Sequence, residues 1–89
     1  MAKVLIPTPL RKFTNNASKV ELEGDNVIEV LTSLTNNYPD LKPYLLDNDK
    51  VKPYIKLFKG EEDIESLDNE ATRLESTDTL SIVPAIAGG

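Results

Sequence analysis

Residues 20–37 read VELEGDNVIEVLTSLTNN, and the spacing of their apolar side chains changes partway along. In Val20–Glu23 apolar and polar residues alternate, which predicts a half-buried strand with Val20 and Leu22 facing the core. Gly24-Asp25-Asn26 then interrupts the alternation and supplies residue types that begin helices. The sequence therefore predicts a strand that turns directly into a helix.

The segment after this turn has the apolar period of an amphipathic helix. Its apolar side chains, with Ile28 beside the same stripe, are Val27, Leu31, Leu34 and Tyr38. Glu29 in the first turn suits the positive end of the helix dipole. Asn36-Asn37 followed by Pro39 ends the helix, because the residue before a proline avoids helical backbone angles. We predict one helix, about Val27 to Asn37.

Outside this unit, three apolar runs predict the remaining strands: Lys3–Ile6, Tyr54–Lys59 and Thr79–Val83. The connection between the first and second strands turns at Asn15-Asn16, where left-handed backbone angles cost little. These two strands are expected to form an antiparallel hairpin with a long turn. In the two later strands the alternation places apolar side chains inward, namely Ile55, Leu57, Leu80 and Ile82. Pro84 is expected to end the last strand.

The resulting order, β-β-α-β-β, fits into 89 residues as a single domain. One amphipathic helix covers one face of a mixed sheet, so the predicted fold class is α+β with two layers. The proline-rich region from Pro39 to Pro53 is expected to be irregular or to form a short helical turn.

Composition excludes several classes of function. The chain has no Cys, His or Trp, which removes disulfides, thiol nucleophiles, His-based triads and most zinc sites. An enzyme could still use carboxylates, lysines and tyrosines, but no pair of them stands in a recognisable arrangement, so we predict no catalytic residues and no metal site. The net charge of −5 argues against nucleic-acid binding, and no apolar run is long enough to span a membrane. The N-terminus does not resemble a signal peptide, so a cytoplasmic protein is expected.

The sequence closes with SIVPAIAGG, residues 81–89. Half of the four glycines in the chain are its last two residues. We predict a folded domain over residues 1–83 and a flexible C-terminal tail over residues 84–89, which reaches about 20 Å when extended. A frayed chain end without a function would be an alternative explanation of the same residues.

Taken together, these features resemble the ubiquitin-like β-grasp sulfur carriers. This family includes the small subunit of molybdopterin synthase and the sulfur carriers of thiamine and cysteine biosynthesis. The resemblance covers the whole chain and is carried by Ile6-Pro7-Thr8 with Leu10-Arg11, Gly24-Asp25, and the ending DTLSIVPAIAGG. The ending is similar to that of the cysteine branch. One departure is Ser76-Thr77-Asp78, where family members often have Asp-Gly-Asp before the last strand.

The resemblance implies a carrier and not an enzyme. A partner E1-like activating enzyme would adenylate the carboxylate of Gly89 with ATP, and a sulfur donor would convert it to a thiocarboxylate. The tail inserted into partner enzymes would be Pro84, Ala85, Ile86, Ala87, Gly88 and Gly89. Glycine suits a narrow channel because it has no Cβ. No cofactor would be bound to the chain itself.

The residues of the tail do not identify the sulfur acceptor. Cysteine biosynthesis, with a cysteine synthase as partner, is favoured, and the large subunit of molybdopterin synthase is second. A different function uses the same chemistry, namely a ubiquitin-like protein modifier joined through Gly89 to lysines. A plain binding domain with an incidental tail is the third hypothesis.

A docking surface for the activating enzyme is also predicted. Tyr54 and Phe58 are expected to point outward from one strand and to form part of this surface, although scattered surface aromatics are common. Ile86 would anchor the tail in the partner's channel or fold back on the domain. The lysines from Lys50 to Lys59 are interpreted as a solvated face.

Overall fold

The computed structural model describes residues 1–48 and 50–84. Within them the strands are β1 Ala2–Leu5, β2 Lys19–Leu22, β3 Leu46–Asp47, β4 Lys50–Val51, β5 Ile55–Lys59, β6 Glu62–Asp63 and β7 Thr79–Pro84. The α-helices are α1 Val27–Asn37 and α2 Lys42–Leu45. Short 3-10 turns cover Thr8–Phe13, Pro39–Leu41, Ile64–Ser66 and Asn69–Ala71.

The main sheet of the described residues has the strand order β2-β1-β7-β5-β6. β1 and β2 form the predicted antiparallel hairpin, and Asn15 and Asn16 in its long turn have φ angles of 56° and 67°. β1 and β7 are parallel, with Val4 beside Leu80, whereas β5 is antiparallel to β7. The predicted α+β class, a mixed sheet packed on one main helix, is confirmed.

Helix α1 begins and ends where its local signals predict. The Asn26 side chain accepts a hydrogen bond from the Glu29 backbone N–H at 2.9 Å, which satisfies one free donor of the first turn. The Glu29 carboxylate in turn accepts from the Asp25 N–H at 2.8 Å. At the other end the Tyr38 N–H donates to the Leu34 carbonyl at 2.8 Å, and Pro39 follows.

The core lies between α1 and one face of the sheet. The helix contributes the buried side chains of Val27, Val30, Leu31 and Leu34, while Ile28 and Tyr38 are only partly buried against them. The predicted stripe therefore omitted Val30. This residue packs tightly because Gly24 lies beside it without a Cβ, and a Cβ on Gly24 would stand 2.7 Å from the Val30 nitrogen.

β1 and β2 each lie one residue earlier than predicted, and two predictions about the ends of the later strands were also wrong. Pro84 is the last residue of β7 and pairs with Ile55, so the strand is one residue longer than predicted. The pairs between β1 and β7 end at Ser81, so among the described residues the end of β7 has only β5 beside it. Such an edge tolerates a residue that lacks an N–H.

Tyr54 is the second correction. It lies in a turn closed by the Ile55 N–H donating to the Lys52 carbonyl at 3.0 Å, and β5 begins only after it. The alternation of a strand therefore does not apply to its side chain. Instead of pointing outward, Tyr54 is partly buried against the core.

Candidate functional site

The predicted reactive segment starts at the end of a central strand. Of the six predicted tail residues only Pro84 is described, and the predicted thiocarboxylate and insertion residues, Ala85, Ile86, Ala87, Gly88 and Gly89, lie outside the described residues. Pro84 is held by its pairing with Ile55 of β5, which lines β7 from Leu80 to Pro84, while β1 pairs with β7 only as far as Ser81. The folded domain therefore presents the start of the tail from a fixed position.

A groove lies beside this point, and we call it the root groove. Its volume is about 310 Å³, and its lining residues are Pro9, Leu10, Lys12, Phe13, Tyr44, Tyr54, Ile55 and Pro84. These residues come from the 3-10 turn after β1, from α2, and from the adjoining ends of β5 and β7. The groove is predominantly apolar, and the start of the tail is part of its wall.

The aromatic side chains of the root groove pack on one another. The rings of Phe13 and Tyr44 have centroids 5.0 Å apart at an interplanar angle of 31°. Tyr44 is nevertheless 45% exposed, and the Lys12 ammonium lies 5.2 Å from the centroid of the Phe13 ring. The groove thus offers an aromatic surface to solvent with a cation at its border.

The second predicted docking residue, Phe58, lies on a different surface. Its side chain is half-buried on the sheet face opposite α1, where Ser81 of β7 is its cross-strand neighbour. Leu5 lies on the other side of Ser81 and is 40% exposed, and Val83, two residues further along β7, is 44% exposed. We call Leu5, Phe58, Ser81 and Val83 the sheet-face patch.

Tyr54 and Phe58 therefore do not form one surface. They are four residues apart, which corresponds to about 13 Å along an extended chain. Tyr54 lines the root groove, whereas Phe58 belongs to the sheet-face patch. No sequence pattern marked Tyr44, Phe13 or Leu5 as surface residues, because each belongs to a run that also supplies core residues.

Three basic side chains near these surfaces, Arg11, Lys56 and Lys59, have partners within the domain. Lys56 forms an ion pair of 2.7 Å with Glu65, and the hydrogen bond and charge of Glu65 raise the pKa of the Lys56 ammonium. The Lys59 ammonium is 3.7 Å from Asp78. Arg11 donates from Nε to the Ile6 carbonyl at 3.0 Å, so it helps to hold the turn after β1.

The turn before β7 has Ser76-Thr77-Asp78 where the family resemblance would lead one to expect Asp-Gly-Asp, and its hydrogen bonds show why no glycine is needed. The Asp78 carboxylate accepts from the Glu75 N–H at 2.7 Å, and the Asp78 N–H donates to the Glu75 carbonyl at 2.9 Å. The described non-glycine residues with positive φ do not include any in this turn. Its geometry therefore does not require a glycine.

The described part of the chain offers no other type of site. Across residues 1–48 and 50–84, no helix has both the length and the apolar character needed to cross a membrane. In the same residues no group of three or more His, Cys, Asp and Glu side chains is arranged to hold a metal ion.

Known proteins are similar to this chain in both sequence and fold. Sulfur carrier protein CysO from Mycobacterium tuberculosis is 32% identical over 89 residues, which cover 97% of this chain and 96% of that protein. A chain in the crystal structure of the Amycolatopsis orientalis BexX/CysO complex superposes with a TM-score of 0.91 at 30% identity, covering 100% of both chains.

A third similarity is to a modifier protein. The solution structure of small archaeal modifier protein 1 from Methanosarcina acetivorans has a TM-score of 0.88 and 28% identity, covering 99% of this chain and 95% of that one.

The predicted resemblance to ubiquitin-like β-grasp sulfur carriers is confirmed. The model of the ThiS family matches residues 4–89, which include all of the predicted tail. The chain therefore belongs to the ThiS family.

Proposed function

We propose that this protein is a sulfur carrier whose C-terminal Gly89 carboxylate is converted to a thiocarboxylate that donates sulfur in biosynthesis. The observation that carries the proposal is the match of the ThiS family to residues 4–89, which runs through Gly88-Gly89. The full-length similarity to a protein named as a sulfur carrier supports it.

The chemistry requires two steps at the C-terminal carboxyl group, the first at its oxygen and the second at its carbon. A carboxylate oxygen of Gly89 attacks the α-phosphorus of ATP, pyrophosphate leaves, and an acyl-adenylate forms. A sulfur nucleophile from the donor then attacks the carbonyl carbon and AMP leaves with the electron pair of the broken C–O bond. The donor supplies sulfur at the oxidation level of sulfide, so the carboxyl carbon is neither oxidised nor reduced.

The partner supplies ATP binding and catalysis, and the carrier supplies reach and an unhindered carbonyl. The five residues after Pro84 span up to about 17 Å when extended. That length lets Gly89 enter a buried site while the β-grasp domain stays outside. Because glycine lacks a Cβ, no side chain shields the carbonyl carbon from the incoming sulfur.

The acceptor we favour is a precursor of cysteine, with molybdopterin second. The similarity to CysO along nearly the whole chain favours the cysteine branch. Co-purification would separate the two alternatives, because a pyridoxal-phosphate cysteine synthase and a molybdopterin synthase large subunit are different proteins. Capture of the large subunit alone would contradict the assignment to cysteine.

The proposal predicts a defined change in mass. Incubation with ATP, the activating enzyme from the same organism and a sulfur source should replace one oxygen of the C-terminal carboxylate by sulfur. Intact-mass spectrometry measures this replacement, and fragmentation should place it on Gly89. The matched control omits ATP, since without adenylation hydroxide is too poor a leaving group. An unchanged mass with an enzyme that activates another carrier would contradict the proposal.

The alternative function is conjugation of Gly89 to lysines of other proteins. The similarity to small archaeal modifier protein 1 favours this candidate, and an acyl-adenylate is also open to attack by an amine. Immunoblotting a lysate would detect conjugates of higher mass that disappear when Gly89 is deleted. If all of the protein is free, the carrier function is favoured.

For the activating enzyme, docking is proposed at the sheet-face patch, because β7 leads from this patch directly into the tail. Changing Phe58 to Ala should raise the KM for the carrier in adenylation about 10-fold, as expected for loss of a central aromatic contact. Glu21→Ala, an exposed position on β2 of the same sheet face, is the control. Equal KM values for the two variants, both shown to be folded by thermal unfolding, would contradict docking at this patch.

A further inference from the structure

We propose that the root groove receives an apolar side chain of the activating enzyme, next to a carboxylate of that enzyme that pairs with Lys12. This inference rests on the proposed function, because it assumes an enzyme that binds the tail. It assigns a second contact surface, separate from the sheet-face patch.

The first step of the inference rests on the position of the groove beside the start of the tail. Pro84 is both the last residue of β7 and part of the groove wall. An enzyme that encloses the chain from Ala85 onward has its entrance at this wall, so its rim lies over the groove. The groove is therefore adjacent to the segment that the partner has to hold.

The second step of the inference rests on the volume and the lining residues of the groove. Its volume of about 310 Å³ accommodates one large side chain of a partner, and its walls are mostly aromatic, aliphatic or proline residues. Tyr44 stacks on Phe13 with centroids 5.0 Å apart while remaining 45% exposed. A ring that already packs on another ring loses little conformational entropy on binding, and tyrosine is enriched at interface hot spots.

The third step of the inference rests on the positive charge of Lys12. Among the described residues that line the root groove, Lys12 is the only charged side chain. The net charge of the whole chain is −5, so the positive charge of Lys12 in the groove is opposite in sign to the charge of the protein as a whole. Lys12 is exposed, whereas its neighbour Arg11 already donates to the Ile6 carbonyl. The complementary group on the partner is therefore a carboxylate.

The test uses two variants of the full chain, Tyr44→Ser and Lys12→Glu. Each should raise the KM for the carrier in ATP-dependent adenylation about 10-fold and leave kcat within about 2-fold, because both side chains contact the partner and not the reacting carboxylate. The KM effect of Lys12→Glu should shrink as salt is raised, whereas that of Tyr44→Ser should persist.

A matched charge-reversal control is Arg73→Glu. Arg73 is exposed and lies beside Met1 and Gly24, at the end of the sheet opposite the root groove. It changes the net charge of the protein by the same amount as Lys12→Glu. Thermal unfolding of the three variants shows whether each is folded, and Lys12→Arg should keep a KM close to the original.

Four outcomes are informative. If both groove variants raise KM and Arg73→Glu does not, the inference is supported. If the natural protein is adenylated but the groove variants have unchanged KM, the groove is not a contact and the proposed function still stands. If the natural protein is not adenylated, the proposed function and the inference both fail. If the variants lower KM or change the oligomeric state, the groove holds the chain's own tail or a second copy, and the inference is overturned.

Discussion

Removing Gly89 should reduce the rate of thiocarboxylate formation at least about 100-fold and leave the fold unchanged. Deleting one residue withdraws the terminal carboxyl by about 3.4 Å, and displacement of a reacting atom by even 1 Å can cost about 100-fold in rate. Intact-mass spectrometry under single-turnover conditions gives the rate. Because Gly89 lies beyond β7, the free energy of unfolding should change by less than about 0.5 kcal/mol.

A control that preserves chain length separates reach from composition. Ala85→Gly keeps the carboxyl at the same distance from Pro84 and should retain most of the rate. A protein that lacks Gly89 and still accepts sulfur at the original rate would show that neither Gly89 nor the full reach of the tail is required, since the shortened chain still ends in a carboxyl, that of Gly88. The proposals that Gly89 itself carries the thiocarboxylate or the conjugate would then fail.

The second large effect is on stability, at Gly24. Its φ of 146° is a backbone conformation that other L-residues rarely adopt. A Cβ at this position would also lie 2.7 Å from the Val30 nitrogen and 2.9 Å from the Val30 Cγ2. Backbone strain and overpacking each cost about 1–3 kcal/mol, so Gly24→Ala should lower the free energy of unfolding by about 3 kcal/mol. The Tm should fall by about 12–24 °C.

Gly60 provides the matched control. Its φ is also positive, at 61°, but a Cβ there would meet nothing within 4 Å. Gly60→Ala should therefore cost only the backbone term of about 1–2 kcal/mol. Thermal or urea unfolding of the two variants compares them directly. Equal destabilisation would show that the close approach of Gly24 to α1 does not contribute, and that only the backbone angle matters.

The two candidate surfaces illustrate what local pattern can and cannot show. Alternation in residues 55–59 correctly placed Ile55 and Leu57 in the core. The same alternation placed Tyr54 on the outside, which was wrong because a turn precedes β5. The root groove joins residues near positions 10, 44, 54 and 84, and no pattern within one segment indicates that such distant positions meet.

The bounds of α1 and the hairpin turn at Asn15-Asn16 were already determined in the linear chain, because capping, proline placement and left-handed turn residues act over a few neighbouring positions. The likeness of the Gly-Gly ending to sulfur carriers was likewise visible without a structure. The parallel pairing of β1 with β7 follows from contacts between the two ends of the chain. The burial of Val30 against Gly24, the extension of β7 to Pro84 and the two separate surfaces beside it were decided only by tertiary packing. These features depend on which distant segments become neighbours, and that is set by burial of the shared core.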